Sequence, residues 1–272
     1  MDEKELDYSR YLELKKQLEE ASRLYYTGGV SPMSDQDFDF GLKEMETLEK
    51  KYPELADVSS LTKNVGSDLT NDFAKITHSV PMLSISNVYS TEEMQEFVDS
   101  VEKGLEDIAE ESFANNTPQD SSPRWICERK IDGVSLSLIY ENGRLKQAVT
   151  RGDGTQGDDV TLNALTIGDI PENLDPKKLK IDSSEIPQGI FEVRGEVYME
   201  RETFQRLNDQ LILEGKKIFQ NCRNTVSGSL KLKSVKECKT RPMRYFAYHI
   251  PQSTNRTHRE NLEQLKKLGF QT

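Results

Sequence analysis

The chain has 272 residues, of which 35% are hydrophobic and 31% charged, so it is polar for a globular protein but not disordered. Its formal net charge of −11 argues against a protein that grips nucleic acid with its whole surface, although a local basic patch is compatible with it. No run of roughly 18 apolar residues exists, and the N-terminus is charged, so a soluble cytoplasmic protein without a membrane span is expected.

Residues 1–72 are predicted to form a small helical module. Ser34 is typical of the N-cap of its second helix, which should end near Tyr52 and Pro53. Residues 54–75 then form a connector with little periodicity. A first helix is predicted over residues 5–26 from apolar side chains near one face, namely Leu12, Leu14, Leu18, Leu24 and Tyr25.

Residues 73–272 are predicted to form a second, α+β domain. It begins with a helix over 91–110 and an exposed loop over 111–123. The apolar period then changes to two, and a turn at Glu141-Asn142-Gly143 indicates a hairpin. Strands are predicted at 125–129, 134–140, 145–150, 190–199 and 243–249, and further helices at 202–214, 222–233 and 257–268.

A candidate nucleophile, Lys130, lies between a predicted strand and a tight Asp132-Gly133 turn. A lysine amine attacks phosphorus only when it is neutral and well placed, and an aspartate two residues on could orient it or hold a hydroxyl of a nucleotide. Gly133 would let the backbone pass close to a ligand. Taken alone, this pattern more often marks a surface lysine before a hairpin turn.

Three later segments carry further candidates. Arg151 opens a loop rich in glycine and hydroxyl groups that could bind phosphate, although a flexible acidic turn or a calcium-like loop has the same composition. In the strand that follows, Glu192, Arg194 and Glu196 alternate onto one face, which an ionic strand face would also explain. Asn221 and Arg223 precede a helix and could bind phosphate or ribose, or simply cap that helix.

These blocks together resemble the bacterial NAD-dependent DNA ligases along essentially the whole chain. The run Cys127-Glu128-Arg129-Lys130-Ile131-Asp132-Gly133 is similar to the family's adenylation motif. Tyr25-Tyr26 and the Asp35-x-x-Phe38-Asp39 pattern resemble the helical module that only the NAD-using branch has. Other matching segments, in family order, are 78–88, 150–161, 192–197 and 219–231.

The resemblance implies an ATP-grasp-like antiparallel sheet, as in DNA ligases and mRNA capping enzymes, behind the helical module. Lys130 would attack the adenylyl phosphorus of NAD, releasing nicotinamide mononucleotide, with Asp132 assisting. Glu128 would recognise the adenine edge, and Ser84 would line the adenosine pocket. The remaining implied contacts are Arg151 and Glu196 to ribose, Asn221 and Arg223 near the nucleotide or nick, and Tyr25, Tyr26, Asp35 and Asp39 to nicotinamide mononucleotide.

The resemblance also implies partners. Mg²⁺ would offset the pyrophosphate charge with few protein ligands, in keeping with its usual binding through phosphate oxygens. No local metal-ligating pattern is present among the three cysteines and three histidines. Nicked duplex DNA would be bound through the full-length enzyme, and a monomer is expected.

The family pattern breaks at the end of the chain, where its later lysine-bearing blocks, its zinc finger and its DNA-encircling domains are missing after Thr272. We therefore expect slowed or absent adenylation and no nick sealing by this chain alone. Five residues also depart from the family's usual choice, several at positions expected to face phosphate or DNA. They are Phe38 for tyrosine, Ser86 for aspartate, Leu165 for arginine, Cys222 for proline and Lys231 for arginine.

Two alternatives stay open on the sequence. One is a catalytically impaired fragment or relic that binds NAD or AMP, which the intact Glu128, Lys130 and Asp132 count against. The other is an ATP-dependent nucleic-acid ligase, which the helical module counts against.

Overall fold

The computed structural model describes residues 3–27, 31–56, 61–62, 73–114 and 125–272. The chain divides into two compact units. The first unit comprises Met1–Met82 with Ile131–Thr272, and the second unit is Leu83–Lys130. This division follows compactness rather than function, so the predicted boundary between 1–72 and 73–272 stays a prediction.

The described residues contain nine α-helices and six β-strands, which confirms the predicted α+β class. The helices are α1 (Glu3–Thr27), α2 (Asp35–Lys51), α3 (Thr91–Ala114), α4 (Thr161–Ala164), α5 (Pro176–Leu179), α6 (Arg201–Leu213), α7 (Cys222–Leu230), α8 (Val235–Lys239) and α9 (His258–Lys267). The strands are β1 (Lys75–Thr77), β2 (Val134–Glu141), β3 (Arg144–Thr150), β4 (Gln156–Asp158), β5 (Ile190–Tyr198) and β6 (Arg244–His249).

The main sheet is antiparallel throughout, with strand order β3-β2-β5-β6. The predicted hairpin joins β2 to β3 through Asn142 and Gly143, whose φ angles of 51° and 78° place both residues in the left-handed region. A two-residue turn with two positive φ angles matches the right-handed twist of the strands it joins. The Asn-Gly pair therefore sets the pairing of Glu141 with Arg144 next to the turn, and the register shifts by one residue between Tyr140 and Ile139.

One face of the main sheet is the core of the first unit. Leu136, Leu138 and Tyr140 alternate along β2 and are fully buried. Val193 and Val197 continue the same apolar face on β5, beside the buried ring of Tyr245 on β6. Because side chains of a strand alternate between faces, the intervening residues of β2 and β5 lie on the opposite face.

The N-terminal helices form the predicted antiparallel pair. Ser34 caps α2 by accepting a hydrogen bond from the backbone N–H of Asp37 at 3.1 Å. The two helices bury Tyr11, Leu14 and Leu18 of α1 against Met45 and Leu48 of α2. Leu12 was predicted to share this face, but it is 62% exposed, because it lies about 200° around the helix from Leu14.

The predicted strand at 125–129 is wrong. Residues 125–132 have no regular secondary structure, and the six side chains of 125–130 are all exposed. Within the part of the chain that the structure describes, no strand pairs with this segment. Its alternating pattern therefore has neither a hydrogen-bonding neighbour nor a buried face to stabilise it.

Three further differences concern short elements. Strand β1 lies at the end of the predicted connector and pairs with β4, which was not predicted at all. Both strands have three residues, too few for a periodic signal. The helix predicted over 222–233 instead ends at Leu230, and α8 follows it after a break.

The second unit contains α3, whose acidic first turn carries Glu92 and Glu93. The ring of Phe97 on α3 meets Trp125 edge to face, with centroids 5.9 Å apart. In the described ranges, no helix combines the length and the apolar character needed to cross a bilayer.

The paired helices predict a contrast between two leucines of α1. Leu18 is 1% exposed and Leu12 is 62% exposed. Leu18→Ala should lower the free energy of unfolding by about 2–4 kcal/mol, because it removes buried methyl groups and leaves a cavity. Urea titration followed by circular dichroism at the helical band measures this loss. Leu12→Ala is the matched control, expected to stay within about 0.5 kcal/mol of the parent protein, and equal losses would contradict the packing described.

Candidate functional site

The face of the main sheet opposite the core is polar. Ser135 and Ser137 of β2 stand opposite Glu196 and Arg194 of β5 in the antiparallel register, so these four side chains share one face with Glu192. The three charged residues of β5 are each at least nine-tenths buried, at 5–8% exposure. Burying a charge is costly unless it is paired and hydrogen-bonded, so their partners decide whether the face is stable.

Glu192 is bonded by three side chains of this polar face and its surroundings. Its carboxylate accepts hydrogen bonds from Ser137 Oγ at 2.8 Å, from Arg194 Nε at 2.8 Å and from Ser79 Oγ at 2.6 Å. Burial alone would raise the pKa of Glu192, but the hydrogen bonds from Ser79, Arg194 and Ser137 outweigh it and hold the pKa below its ordinary value of 4.5. Glu192 is therefore a structural anion, fully occupied by protein donors.

Glu196 is as buried as Glu192, at 8% exposure. Ser135 Oγ donates to its carboxylate at 2.8 Å. The phenol of Tyr248, on β6, lies close enough to interact with the charges of Glu196, Arg194 and Arg151. Burial, and then the Glu196 carboxylate, raise the pKa of Tyr248, so its hydroxyl stays a hydrogen-bond donor near neutral pH. Two predicted site residues, Glu196 and Arg151, therefore share this neighbourhood with Tyr248, which was not predicted.

Arg151 follows the end of β3 at the start of the glycine-rich loop. Its backbone N–H donates to the Ser135 carbonyl at 3.3 Å, which ties the loop to β2. Its Nη2 atom is buried and has no hydrogen-bond partner among the described residues. A buried, unsatisfied guanidinium nitrogen is rare in folded proteins and calls for an anion or acceptor that completes it.

The segment 78–82 is bound along this face. The Arg194 guanidinium donates from Nη1 to the Pro81 carbonyl at 3.1 Å and from Nη2 to the Val80 carbonyl. The Met82 N–H donates to the Gly154 carbonyl at 2.8 Å, which joins the segment to the Arg151 loop. The charged face therefore positions a stretch of main chain as well as presenting side chains.

The two predicted residues near α7 make different contacts: Asn221 caps the helix and Arg223 pairs with a carboxylate. Asn221 is the N-cap of α7 and accepts from the Asn224 N–H at 2.7 Å, so its side-chain oxygen is already used. Arg223 lies 3.6 Å from the Asp132 carboxylate, and Asp132 is 79% exposed. The structure therefore brings Asp132 and Arg223 together, although they are 91 positions apart in the sequence.

Lys231, which departs from the family's usual arginine, does not face solvent. It is 10% exposed and lies 3.1 Å from the Asp158 carboxylate, which has no exposed surface. Lys75 of β1 pairs with the same carboxylate. The Lys231 ammonium is therefore paired with a buried aspartate, and which of the five departures face phosphate or DNA stays a prediction.

Three predicted residues belong to the second unit, namely Ser84, Glu128 and Lys130, and all three are exposed. Four more belong to the N-terminal helices. Tyr25 and Tyr26 lie in the last turn of α1 and Asp35 begins α2, but their side chains lie outside the described part of the structure. Asp39 is half-buried on α2. Within the described ranges, no group of three or more metal-ligating side chains is found.

Comparison with known proteins gives the family. Residues 70–272 match the NAD-dependent DNA ligase adenylation domain, and residues 4–66 match the DNA ligase-like N-terminal NAD+-binding domain. The chain belongs to the NAD-dependent DNA ligase family. This confirms the resemblance drawn from the motifs, including the branch that the helical module indicated.

Individual ligases agree with this assignment. The chain is 40% identical to a DNA ligase of Cytophaga hutchinsonii over 264 residues, which is 96% of this chain and 36% of the relative. It is also 40% identical to a DNA ligase of Chlorobaculum tepidum over 261 residues, covering 95% of this chain and 37% of the relative. The chain thus spans about a third of the length of these ligases.

Sequence reasoning missed Ser135, Ser137 and Tyr248 on the polar face of this ligase-family domain. The two serines carried a signal, because they alternate with buried leucines in β2 and should therefore point away from the core. Tyr248 carried none, since its neighbourhood depends on the pairing of β6 with β5, and the register shifts between Arg194 and Gly195. A bulge of this kind redirects side chains in a way that strand alternation does not anticipate.

The bonding of Glu192 predicts a pH dependence of stability. A carboxylate whose folded-state pKa is depressed stabilises the fold fully above its unfolded-state pKa, and this contribution is lost as the pH falls through the folded value. Glu192→Gln should therefore lower the thermal midpoint at neutral pH. The difference in thermal midpoint between this variant and the parent protein should shrink as the pH falls from about 5 to about 3. Differential scanning calorimetry across that range measures it. The exposed Glu92 provides a matched control in Glu92→Gln, and a deficit for Glu192→Gln that stays constant with pH would contradict the assignment.

Proposed function

We propose that the chain is the nucleotide-binding and adenylation portion of an NAD-dependent DNA ligase, with Lys130 as the nucleophile. The observation that carries this proposal is the buried, unsatisfied Nη2 of Arg151 on a face that also presents Glu196 and the Tyr248 hydroxyl. A cation that needs an acceptor, next to a carboxylate and a phenol, fits the phosphate and ribose hydroxyls of an adenylate. The reaction itself is inferred from membership of the family.

In the proposed step, Lys130 Nζ forms a bond to the adenylyl phosphorus of NAD. The phosphoanhydride P–O bond to nicotinamide mononucleotide breaks, and the bonding electron pair leaves on that oxygen. The proton released from the amine passes to solvent, and Asp132 assists the lysine. No oxidation or reduction takes place, because NAD acts here as an adenylyl donor.

Other residues hold the substrate in the proposal. Arg151 and Glu196 contact the ribose, Glu128 recognises the adenine edge and Ser84 lines the adenosine pocket. Asn221 and Arg223 lie near the nucleotide or the nick; because the Asn221 oxygen caps α7, its amide nitrogen would make the contact. On the helical module, the nicotinamide mononucleotide half would be held by Tyr25, Tyr26, Asp35 and Asp39.

Mg²⁺ and the later partners are also proposals. The ion would neutralise pyrophosphate charge through phosphate oxygens, an arrangement that needs few protein ligands. In the whole ligase, AMP would pass from Lys130 to the 5′ phosphate of a nick in duplex DNA, and the 3′ hydroxyl would then displace it. We propose that the ligase acts as a monomer in the cytoplasm.

Intact-mass spectrometry tests the proposal. Incubated with Mg²⁺ and NAD, the protein should gain the mass of one AMP, and ATP should produce no gain. Lys130→Ala should abolish the gain in mass. Lys146 is an exposed lysine on β3, and Lys146→Ala should leave the gain unchanged.

The outcomes separate the alternatives. Adenylation by ATP alone would overturn the NAD assignment. No adenylation by either nucleotide, together with calorimetric binding of NAD, would favour a chain that binds nucleotide without chemistry.

Removing the unsatisfied guanidinium should weaken nucleotide binding. Arg151→Ala is expected to raise the Kd for AMP roughly tenfold to a hundredfold, the range for losing a charge-assisted hydrogen bond. Isothermal titration calorimetry measures this change. Arg144→Ala is the control, because Arg144 is the first residue of β3, the strand that Arg151 follows, and its side chain is 75% exposed. Equal affinities of Arg151→Ala and the parent protein for AMP would show that Arg151 does not contact the nucleotide.

A further inference from the structure

His78 is a buried histidine, 7% exposed, that the proposed chemistry does not use. Its Nε2 atom lies 3.1 Å from the Thr150 carbonyl oxygen and 3.2 Å from the Arg151 carbonyl oxygen. Carbonyl oxygens only accept hydrogen bonds, so Nε2 must carry a proton and share it between the two. The imidazole therefore holds the main chain on both sides of the Arg151 Cα.

The backbone of His78 reaches the other end of the same loop. Its N–H donates to the Thr155 carbonyl at 2.9 Å. Inside the loop, the Gly154 N–H returns to the Arg151 carbonyl at 3.0 Å, and the Asp153 carboxylate accepts from the Thr155 and Gln156 N–H groups at 2.9 Å each. The loop is thus closed on itself, and His78 attaches both of its ends to the segment leading out of β1.

We propose that His78 is a positioning residue that orients Arg151 for the adenylate. The Arg151 N–H is held by β2, its carbonyl by His78, and its guanidinium has a nitrogen without a partner in the part of the chain that the structure describes. A long, flexible side chain binds more tightly when its backbone is fixed beforehand, since less ordering remains for the binding step. This inference rests on the proposed function, because it assigns a role relative to the nucleotide.

Two amide substitutions test the role of Nε2 itself. The amide nitrogen of glutamine can occupy the position of Nε2, whereas that of asparagine reaches only the position of Nδ1. His78→Asn should raise the Kd for AMP roughly tenfold, as for the loss of one hydrogen bond, while His78→Gln should stay within about threefold of the parent protein. Isothermal titration calorimetry with AMP on the full chain measures both. An amide variant that does not fold is replaced by His78→Ala.

A double-mutant cycle separates positioning from a general loss of structure. If His78 acts through Arg151, then His78→Asn should change the Kd by less than about twofold in an Arg151→Ala background. Asn261→Ala is a control for lost buried hydrogen bonds, because Asn261 accepts from Ser253 and Asn255 near α9. It should lower the thermal midpoint without changing the Kd.

The outcomes keep this inference apart from the proposed function. Parent protein that binds neither AMP nor NAD would overturn both. Normal binding by the parent protein, together with an unchanged Kd in His78→Asn or fully additive effects in the cycle, would overturn the role of His78 alone.

Discussion

The buried ion pair between Glu192 and Arg194 is the interaction on which the polar face depends. Removing two charges from water costs several kcal/mol per ion. The attraction between the two ions offsets that free energy only when further hydrogen bonds satisfy their remaining polar atoms. Here Ser79 and Ser137 complete the carboxylate, and two main-chain carbonyls complete the guanidinium. The same bonds that make the pair tolerable also attach the segment 78–82, and so connect the middle of β5 to the loop carrying Arg151.

Much of the local structure followed from the sequence because its causes are local. The Asn-Gly turn, the Ser34 cap and the two-residue alternation of β2 and β5 each depend on residues a few positions apart. The prediction of a strand at 125–129 was wrong because an alternating pattern does not by itself provide a neighbouring strand to pair with. The pairing of Asp132 with Arg223 and the placement of Tyr248 within electrostatic range of Arg151 were not predicted either, since both depend on how distant segments of the chain come together. A sequence thus specifies which side chains share a strand face more reliably than which distant groups meet there.

The departures from the family pattern acquire physical explanations at two positions. Cys222 is the first residue of α7, where proline suits a helix because the N–H there needs no partner. With Asn221 capping the helix, the replacement keeps the helix start intact. Lys231 supplies a single point charge to Asp158, for which the planar fork of an arginine is not required. Neither change indicates decay of the site.

The glycine-rich loop illustrates how composition alone misassigns a cause. In the sequence, its glycine content is a sign of phosphate binding, but a Cβ on Gly157 would collide with the Thr150 carbonyl of the protein itself. This glycine is therefore explained by the close return of the loop to β3, with or without a ligand. Two buried polar side-chain atoms have no partner among the described residues, Arg151 Nη2 and Asn163 Oδ1, and of these only the Arg151 nitrogen belongs to a charged group. An unsatisfied buried charge, rather than empty space, is thus the feature that a bound nucleotide would explain.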